Sequence, residues 1–315
     1  MPNHVQACIT LPGKIAIHSS FESVQEHTLS WAQEFSLAPQ FKSISWYTKA
    51  RFGFQAAREY PDADYNQICL AGDLLTWLFT VDDACDRGSS DATGAARMKI
   101  LLYEFIGILK GNRALKSNDL SKSLTDILLR MEAISTPFLY QVFCKHMIDY
   151  LEECFFEFDI QLHNYTPTIE KYFEMRPQTG FYIMFPLAAI FKRLNIPDVV
   201  YQHPAIQEIE LTLSHLGCLS NDLHSREREQ ELEATGFNLI FIAERELHIS
   251  HDEAIDYVTD YHDQYQEKLK AQRQSLPFWS KEINQQVDKY IRGVYNIIKG
   301  YDHWAVMDTN RYGIA

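Results

Sequence analysis

The sequence predicts an all-α fold, and three observations favour this prediction. Apolar residues recur at steps of three and four along long segments, as they do on one face of a helix. The chain of 315 residues contains only 13 glycines and 11 prolines. No stretch shows the short alternating strands and frequent turn signals that an all-β fold needs. We therefore expect a single bundle of α-helices.

The individual helices are predicted from this periodicity and from the turn signals between them. Long amphipathic helices are expected at 138–163, 201–232, 253–273 and 281–300. Turns are expected at 59–64, 110–119, 165–168, 195–198, 234–238, 248–253 and 275–279. No repeat, low-complexity tract or flexible linker divides the chain. We expect one helical domain over residues 20–315, preceded by a strap or loop at 1–19.

Composition and charge exclude several classes of partner. A net charge of −13 argues against a nucleic-acid backbone or an anionic membrane surface as the main partner. The longest apolar run, 181–191, is much shorter than the roughly 20 residues that cross a bilayer. The N-terminus has no secretory signal pattern, and the six cysteines show no metal-binding spacing. We expect a soluble, cytoplasmic protein without membrane insertion.

A cluster of acidic residues follows one of the most apolar segments, 69–81. On a helix Asp82 and Asp86 share a face, and Asp83 lies beside them. A solvated helix end would explain the cluster, but the helix dipole disfavours carboxylates at a C-terminus and the apolar segment predicts burial. A hard cation relieves both costs. Ligands that are all oxygens suit Mg²⁺, which binds one or two carboxylates together with substrate phosphates.

A second polar motif, "LSNDLHSREREQE", lies at 219–231. At 100° per residue, Asn221, Ser225 and Glu229 lie within about 80° of one another, and Arg228 falls nearly in line with Asn221. This face offers three oxygen ligands beside a guanidinium that suits phosphate. A charged, solvent-facing helix would explain the motif taken alone. The presence of both motifs favours a cation site formed from two helices.

The two motifs resemble the aspartate-rich motif and the Asn/Ser/Glu triad of class I terpene synthases of the microbial type. Arg176 stands 45 residues before Asn221, where such enzymes carry an arginine that senses diphosphate. The resemblance runs in one order from about residue 79 to 312. Further matches are a linker residue at Thr179, an effector glycine at Gly180, a pocket aromatic at Trp304, and a C-terminal pair at Arg311 and Tyr312.

The resemblance implies a class I terpenoid synthase fold and the loss of diphosphate from an acyclic prenyl diphosphate, followed by cyclisation of the carbocation. Three Mg²⁺ ions, for which Mn²⁺ can substitute, would act on the leaving diphosphate. The implied metal ligands are Asp82, Asp83, Asp86, Asn221, Ser225 and Glu229, of which Asp86 is not needed in every family member. The implied catalytic residues are Arg176, Thr179, Gly180, Arg228, Arg311 and Tyr312.

Diphosphate binding is implied for Arg176, Arg228, Arg311 and Tyr312. By family analogy, Asp83 would also pair with Arg311 when the site closes and excludes water.

Aromatic residues near the motifs are candidates for the wall of the substrate cavity, although aromatics at helical spacing also form ordinary cores. The candidates are Phe54, Trp77, Phe79, Phe181, Tyr182 and Trp304, and the first choices are Phe79, Phe181 and Trp304. The segment "MRPQTGF" at 175–181 predicts a helix break, because Pro177 removes a backbone donor and Gly180 permits unusual torsions. The carbonyl groups freed by such a break can stabilise positive charge.

Several alternatives stay open at this stage. Farnesyl diphosphate is preferred as substrate on family frequency alone, so a diterpene synthase acting on geranylgeranyl diphosphate is an alternative. An isoprenyl diphosphate synthase would need a second aspartate-rich motif, which the sequence lacks. A non-catalytic helical scaffold would need no metal. An HD-type phosphohydrolase is suggested only by "SHDE" at 250–253 and "YHDQ" at 261–264. The sequence does not decide whether the chain forms a homodimer.

Overall fold

Secondary structure in the described part of the chain is entirely helical, with no β-strand among those residues. The computed structural model describes residues 16–88, 92–112, 118–163, 165–231 and 235–312, with side chains described except at 39, 86–88, 92, 93, 157–163 and 235. The prediction of an all-α fold is confirmed. Most of the predicted strap at 1–19 lies outside the described residues.

The α-helices of these ranges are numbered here in chain order. They are α1 Phe21–Glu34, α2 Leu37–Gln40, α3 Ile44–Ala50, α4 Phe52–Glu59, α5 Tyr65–Gly88, α6 Ala92–Leu109, α7 Asp119–Ile134, α8 Pro137–His163, α9 Ile169–Thr179, α10 Phe185–Phe191, α11 Asp198–Tyr201, α12 Pro204–Glu231, α13 Leu239–Leu247, α14 His251–Gln274 and α15 Lys281–Met307. Two short 3₁₀ turns occupy Tyr182–Met184 and Thr235–Phe237.

The helix boundaries follow local signals in the sequence. The predicted turns lie at helix boundaries, although the one predicted at 248–253 overlaps the first turn of α14. Several helices follow an N-cap residue whose side chain accepts a hydrogen bond from the first turn. Ser250 and Glu253 form a complete capping box at the start of α14. This structural role accounts for the "SHDE" sequence, so the motif gives no support to a phosphohydrolase.

A large apolar core lies between α4, α5 and the helices packed against them. Helix α4 packs most extensively against α5 and α15. Gly300 permits the second contact, because a Cβ atom there would lie 2.6 Å from the backbone nitrogen of Glu59. Helix α4 is therefore held between α5 and α15 with little freedom to shift.

A second apolar cluster joins α9, α12, α13 and α14. Its residues include Tyr172, Leu219, Leu223, Leu239 and Ile240, all fully buried. This cluster sets the position of α9 against α12, the two helices that carry Arg176 and the second polar motif. None of the helices in the described ranges is long and apolar enough to cross a membrane.

Candidate active site

One cavity is lined by most of the residues that the sequence singled out. The empty space within it, with open solvent at its mouth included, is about 1230 Å³. Along α5 its wall runs from Leu75 through Leu78 and Phe79 to Asp82, so the lining changes from apolar to acidic over roughly 10 Å. The polar end is lined by Asp82, Arg176, Thr179, Asn221, Ser225, Arg228, Glu229, Tyr301, Arg311 and Tyr312.

The first acidic motif places its two described carboxylates in different surroundings. Asp82 faces the cavity with 44% of its side chain exposed, whereas Asp83 is buried at 3%. The Asp83 Oδ1 atom accepts hydrogen bonds from Arg311 Nη2 at 2.8 Å and Arg228 Nη2 at 3.0 Å, and Lys42 contacts its other oxygen. The side chain of Asp86 lies outside the described part of the molecule.

The two carboxyl groups accordingly have opposite pKa shifts. Burial alone would raise the pKa of Asp83, but the guanidinium groups of Arg311 and Arg228 outweigh it and hold that pKa well below its usual range. The pKa of Asp82 is raised because the cavity walls limit its solvation despite its exposed fraction, and because the charge of Asp83 lies next to it. Asp83 is thus neutralised by protein cations, whereas Asp82 is the carboxylate that faces the cavity.

The second motif brings its three predicted oxygen ligands to the cavity on α12. The Asn221 Oδ1 atom accepts a hydrogen bond from Arg176 at 2.7 Å, and its Nδ2 group donates to the Tyr301 hydroxyl at 2.6 Å. Glu229 accepts from Asn238 Nδ2 at 2.9 Å. Burial, with a smaller effect from nearby Asp222, raises the pKa of Glu229 to about 7. All three side chains of this predicted helix face therefore line the same cavity, and their role as metal ligands stays a prediction.

Arg176 is held at the cavity by three side chains. Its Nη2 atom lies 3.0 Å from Asp222 Oδ1 and 2.7 Å from Asn221 Oδ1, and its Nη1 atom lies 3.2 Å from Thr179 Oγ1. Asp222 is itself fully buried and accepts hydrogen bonds from Tyr172 and from the backbone at the start of α13. The planar guanidinium is thereby oriented at the rim of the site.

Arg311 reaches the same end of the cavity from the C-terminal segment. Its guanidinium lies 4.7 Å from the centre of the Phe79 ring and 5.5 Å from that of Trp46, and it hydrogen-bonds Asp83. Its Nε and Nη1 atoms are buried without a hydrogen-bond partner in the described ranges. Such unpaired donors are costly, and an anion bound in the cavity would pair them.

The family of this chain follows from comparison with known proteins. The family model described as "Terpene synthase family 2, C-terminal metal binding" matches residues 73–268, which include both polar motifs and Arg176. The chain belongs to this terpene synthase family. The predicted class I terpene synthase, a lyase, is confirmed. As a member of this family, the protein has a metal-binding C-terminal region, consistent with the use of divalent metal ions.

Characterised relatives of this terpene synthase match it over nearly its whole length. Germacrene A synthase of Nostoc punctiforme is 27% identical over 92% of this chain and 89% of its own. A (+)-T-muurolol synthase of Roseiflexus castenholzii, whose name specifies cyclisation of (2E,6E)-farnesyl diphosphate, is 26% identical over 98% and 94%. The similarity therefore spans the whole described fold and not only the two motifs.

Solved structures show the same fold. Linalool/nerolidol synthase from Streptomyces clavuligerus, in complex with 2-fluorogeranyl diphosphate, superposes on this terpene synthase with a TM-score of 0.83 at 19% identity. That match covers 92% of this chain and 99% of the other. Germacradien-4-ol synthase from Streptomyces citricolor gives a TM-score of 0.81 at 20% identity, covering 94% and 97%.

Helix α9 of the terpene synthase ends at the predicted break, but the reason for the glycine differs from the prediction. The backbone of Gly180 has a φ of −99°, so no left-handed conformation is involved. A Cβ atom at this position would instead overlap the Sγ atom of Cys218 on α12. The carbonyl groups of Arg176 and Pro177 are also not free, because the Cys218 thiol and the Ser214 hydroxyl donate to them.

Substitution of Gly180 tests this steric explanation. Gly180→Ala is expected to lower the free energy of unfolding by about 1–3 kcal/mol, the usual cost of overpacking, and to reduce turnover by displacing the break. The double variant Gly180→Ala/Cys218→Ala should recover most of both losses, because the Sγ atom is then absent. Chemical denaturation of the single and double variants measures the effect. If Gly180→Ala and Gly180→Ala/Cys218→Ala were equally stable, the explanation would be contradicted.

The structure corrects the expected cavity lining at four aromatic positions. Phe79 and Phe181 line the cavity, whereas Phe54, Trp77, Tyr182 and Trp304 are not among its lining residues, and Tyr182 instead stacks on His146. Trp77 is two positions before Phe79, which turns it to the opposite side of α5. There its indole donates to the Leu120 carbonyl.

Phe54 and Trp304 lie outside the lining for different reasons. Phe54 packs on Phe21 and Arg51, outside the cavity wall. Trp304 is fully buried, and its indole donates to the carbonyl groups of Ala50 and Arg51. It supports Phe79 from behind, with ring centres 5.8 Å apart. Its position is therefore that of a core residue behind the wall.

Trp304→Leu is expected to act on stability more than on product choice. Loss of a buried indole that fills the space behind Phe79 should lower the free energy of unfolding by about 3 kcal/mol. Phe79→Leu is the matched variant in the lining, and we expect it to change the ratio of products instead. Thermal unfolding and product analysis of both variants separate the two effects. Trp304→Leu with unchanged stability would show that the ring does not support the core.

Sequence analysis missed several residues that hold the site together. Lys42 contacts Asp83 from the loop between α2 and α3, and Asp222 and Asn238 orient Arg176 and Glu229. Asp222 lies inside the second motif, so its position offered a signal. Lys42 and Asn238 stand in ordinary loop sequence, and only the folded chain brings them to the site.

Proposed function

We propose that this terpene synthase ionises farnesyl diphosphate with the help of Mg²⁺ and cyclises the resulting carbocation to a sesquiterpene, releasing diphosphate. The observation that carries the proposal is the division of one cavity into two ends. Arg176, Arg228 and Arg311 line its polar end together with the oxygen ligands, and the other end is largely apolar. The farnesyl diphosphate named for the muurolol synthase relative supports this substrate.

The side chains at the polar end fit a hard divalent cation. Asp82 on α5 and the face formed by Asn221, Ser225 and Glu229 on α12 offer only oxygen atoms. The Ser225 hydroxyl is buried, and no described residue offers it a hydrogen bond of normal distance and angle. Within the described ranges, no group of three or more His, Cys, Asp or Glu side chains is arranged so that these residues alone could hold a metal ion. The proposed ligands therefore include amide and hydroxyl oxygens, and they would bind the metal from α5 on one side and α12 on the other. We propose that three ions bind.

The protein residues have distinct roles in this proposal. Bound Mg²⁺ would supply Lewis-acid activation of the leaving group. Arg176, Arg228, Arg311 and Tyr312 bind the diphosphate oxygens, and the unpaired Nε and Nη1 donors of Arg311 suit that task. The pairing of Arg311 with Asp83, together with its packing on Phe79, closes the polar end against water.

The apolar end would hold the hydrocarbon chain during cyclisation. Phe181 lines the cavity, and a carbocation that meets an aromatic face gains about 2 kcal/mol when desolvated. The Phe79 ring also lines the cavity, but Phe52 stacks on it and the Arg311 guanidinium lies over it, so Phe79 shapes the wall rather than offering a free π-face. A diterpene synthase acting on geranylgeranyl diphosphate is the second candidate, since the same polar end would serve either chain length. The cytoplasmic location remains a prediction, and the oligomeric state remains open.

Incubation with geranyl, farnesyl and geranylgeranyl diphosphates tests the proposal directly. We expect Mg²⁺-dependent formation of cyclic C15 products from farnesyl diphosphate, detected by gas chromatography with mass spectrometry. Exhaustive EDTA treatment should abolish both product and diphosphate release, and added Mg²⁺ or Mn²⁺ should restore them. Full activity after EDTA treatment would refute the metal requirement. If cyclic products form only from geranylgeranyl diphosphate, the proposal of farnesyl diphosphate as substrate is wrong and the second candidate is correct.

A further inference from the structure

Two polar side chains line the cavity away from the diphosphate-binding residues. Gln55 and Glu59 lie one turn apart on α4 and are both lining residues, with exposed fractions of 2% and 1%. The Gln55 Nε2 group donates a hydrogen bond to Glu59 Oε1 at 2.8 Å. Leu75, Leu78 and Met184 also line this cavity, so the pair faces a space with much apolar wall.

The pair lies well inside the cavity. At the other end of α4, Phe52 stacks on Phe79 with ring centres 4.6 Å apart, one turn from Asp82. Glu59 is seven residues further along α4, or roughly 10 Å. The close approach of Gly300 to its backbone fixes it there. Glu59 is thus placed to face a hydrocarbon rather than the diphosphate.

Gln55 and Glu59 do not satisfy all of their hydrogen-bonding atoms within the described residues. The Oε2 atom of Glu59 and the Oε1 atom of Gln55 are both buried without a hydrogen-bond partner among the described residues. Burial raises the pKa of Glu59 to about 8, although the hydrogen bond from Gln55 acts in the opposite direction. Glu59 is therefore mainly a neutral acid near pH 7. Since Oε1 accepts from Gln55, the proton belongs on Oε2.

We propose that Glu59 exchanges a proton with the hydrocarbon: its carboxylic acid protonates a double bond of a neutral cyclised intermediate, and the resulting carboxylate later removes a proton from the final carbocation. This role rests on the proposed cyclisation of a prenyl diphosphate. It makes Glu59 a catalytic residue of the apolar end, with Gln55 as its positioning residue.

Each proton and electron pair in this sequence is accounted for. The first carbocation loses a proton to the diphosphate released by ionisation and becomes a neutral olefin. The π-electrons of that olefin then form a C–H bond with the Glu59 proton, and the O–H electron pair stays on the carboxylate. In the last step, a C–H electron pair becomes the product double bond, and the proton returns to Glu59.

The surroundings of Glu59 favour such a transfer. A carboxylate beside a carbocation gains strong attraction in an interior of low dielectric constant. The amide of Gln55 already donates to Glu59 and would stabilise the ionised form. A solution acid could not use either effect, because water would screen the charges.

Deuterium incorporation tests the proposal without any substitution. The protein is equilibrated in D₂O and mixed with a smaller amount of farnesyl diphosphate and Mg²⁺, so that each molecule turns over once. We expect the main product to carry one deuterium atom bound to carbon. A product without deuterium would overturn the proposal, whereas failure to release diphosphate from any prenyl diphosphate would instead overturn the proposed function.

A pair of isosteric variants assigns the proton to Glu59. Glu59→Gln should form the deuterated product about 100-fold more slowly, the usual effect of losing a general acid, and the neutral olefin should accumulate instead. Glu210→Gln is the matched control, because Glu210 is equally buried but bonds Tyr290 and Gln207 outside the cavity. Normal deuterium incorporation by folded Glu59→Gln would refute the assignment.

Discussion

Replacement of Asp82 by alanine is expected to reduce turnover of farnesyl diphosphate about 10³-fold without unfolding the protein, an effect typical of losing one group that stabilises developing charge. Asp83 is already engaged by three cationic side chains, whereas Asp82 faces the cavity. Asp82 is therefore the carboxylate best placed to bind a metal ion. Steady-state diphosphate release at several Mg²⁺ concentrations measures the loss.

Two further variants define what Asp82 contributes. Asp82→Asn keeps the size of the side chain but removes its charge, so we expect nearly the same loss as for alanine. Asp62→Ala is the control for loss of an exposed acid, since 73% of its side chain is exposed. Circular dichroism should show that all three variants stay helical. Wild-type turnover of Asp82→Ala, or its unfolding, would contradict a metal-binding role.

Replacement of Arg176 by lysine is expected to lower turnover by about 100-fold although the positive charge is kept. The guanidinium contacts Asp222, Asn221 and Thr179 at the same time, and a single ammonium group cannot reproduce this arrangement. The planar group would therefore no longer be presented to the diphosphate. Single-turnover diphosphate release measures the ionisation step itself.

Arg130 provides the matched control for this substitution. It is a partly exposed arginine that pairs with buried Asp73 at 2.8 Å, outside the cavity lining. Arg130→Lys should leave turnover near the wild-type rate, even where it reduces stability. If Arg176→Lys and Arg130→Lys have the same turnover, Arg176 has no special role in ionisation.

The helices were predictable because their signals are local. The expected helix at 281–300 is part of Lys281–Met307, and the one at 253–273 lies within His251–Gln274. Hydrophobic periodicity and capping residues act within a few turns, so they can be read without knowing the rest of the fold. The shared face of Asn221, Ser225 and Glu229 was predictable for the same reason, since helix geometry alone fixes it.

The reasons behind individual positions were less predictable. The sequence indicated a break near Gly180, but the steric need for glycine comes from Cys218 on another helix. Trp77 and Phe79 look equivalent as aromatics beside a motif, yet only the packing of α5 decides which one faces the cavity. Such choices depend on contacts between residues that are distant in the chain.

The sequence by itself determined an all-helical chain, two oxygen-rich motifs and an ordered set of arginines typical of class I terpene synthases. Only the tertiary structure decided that Asp83 is neutralised by Lys42 and two arginines, that Trp304 lies behind the cavity wall, and that Glu59 faces its interior. The physical reason is that periodicity and spacing specify local geometry. Burial and charge pairing arise only when distant segments pack together.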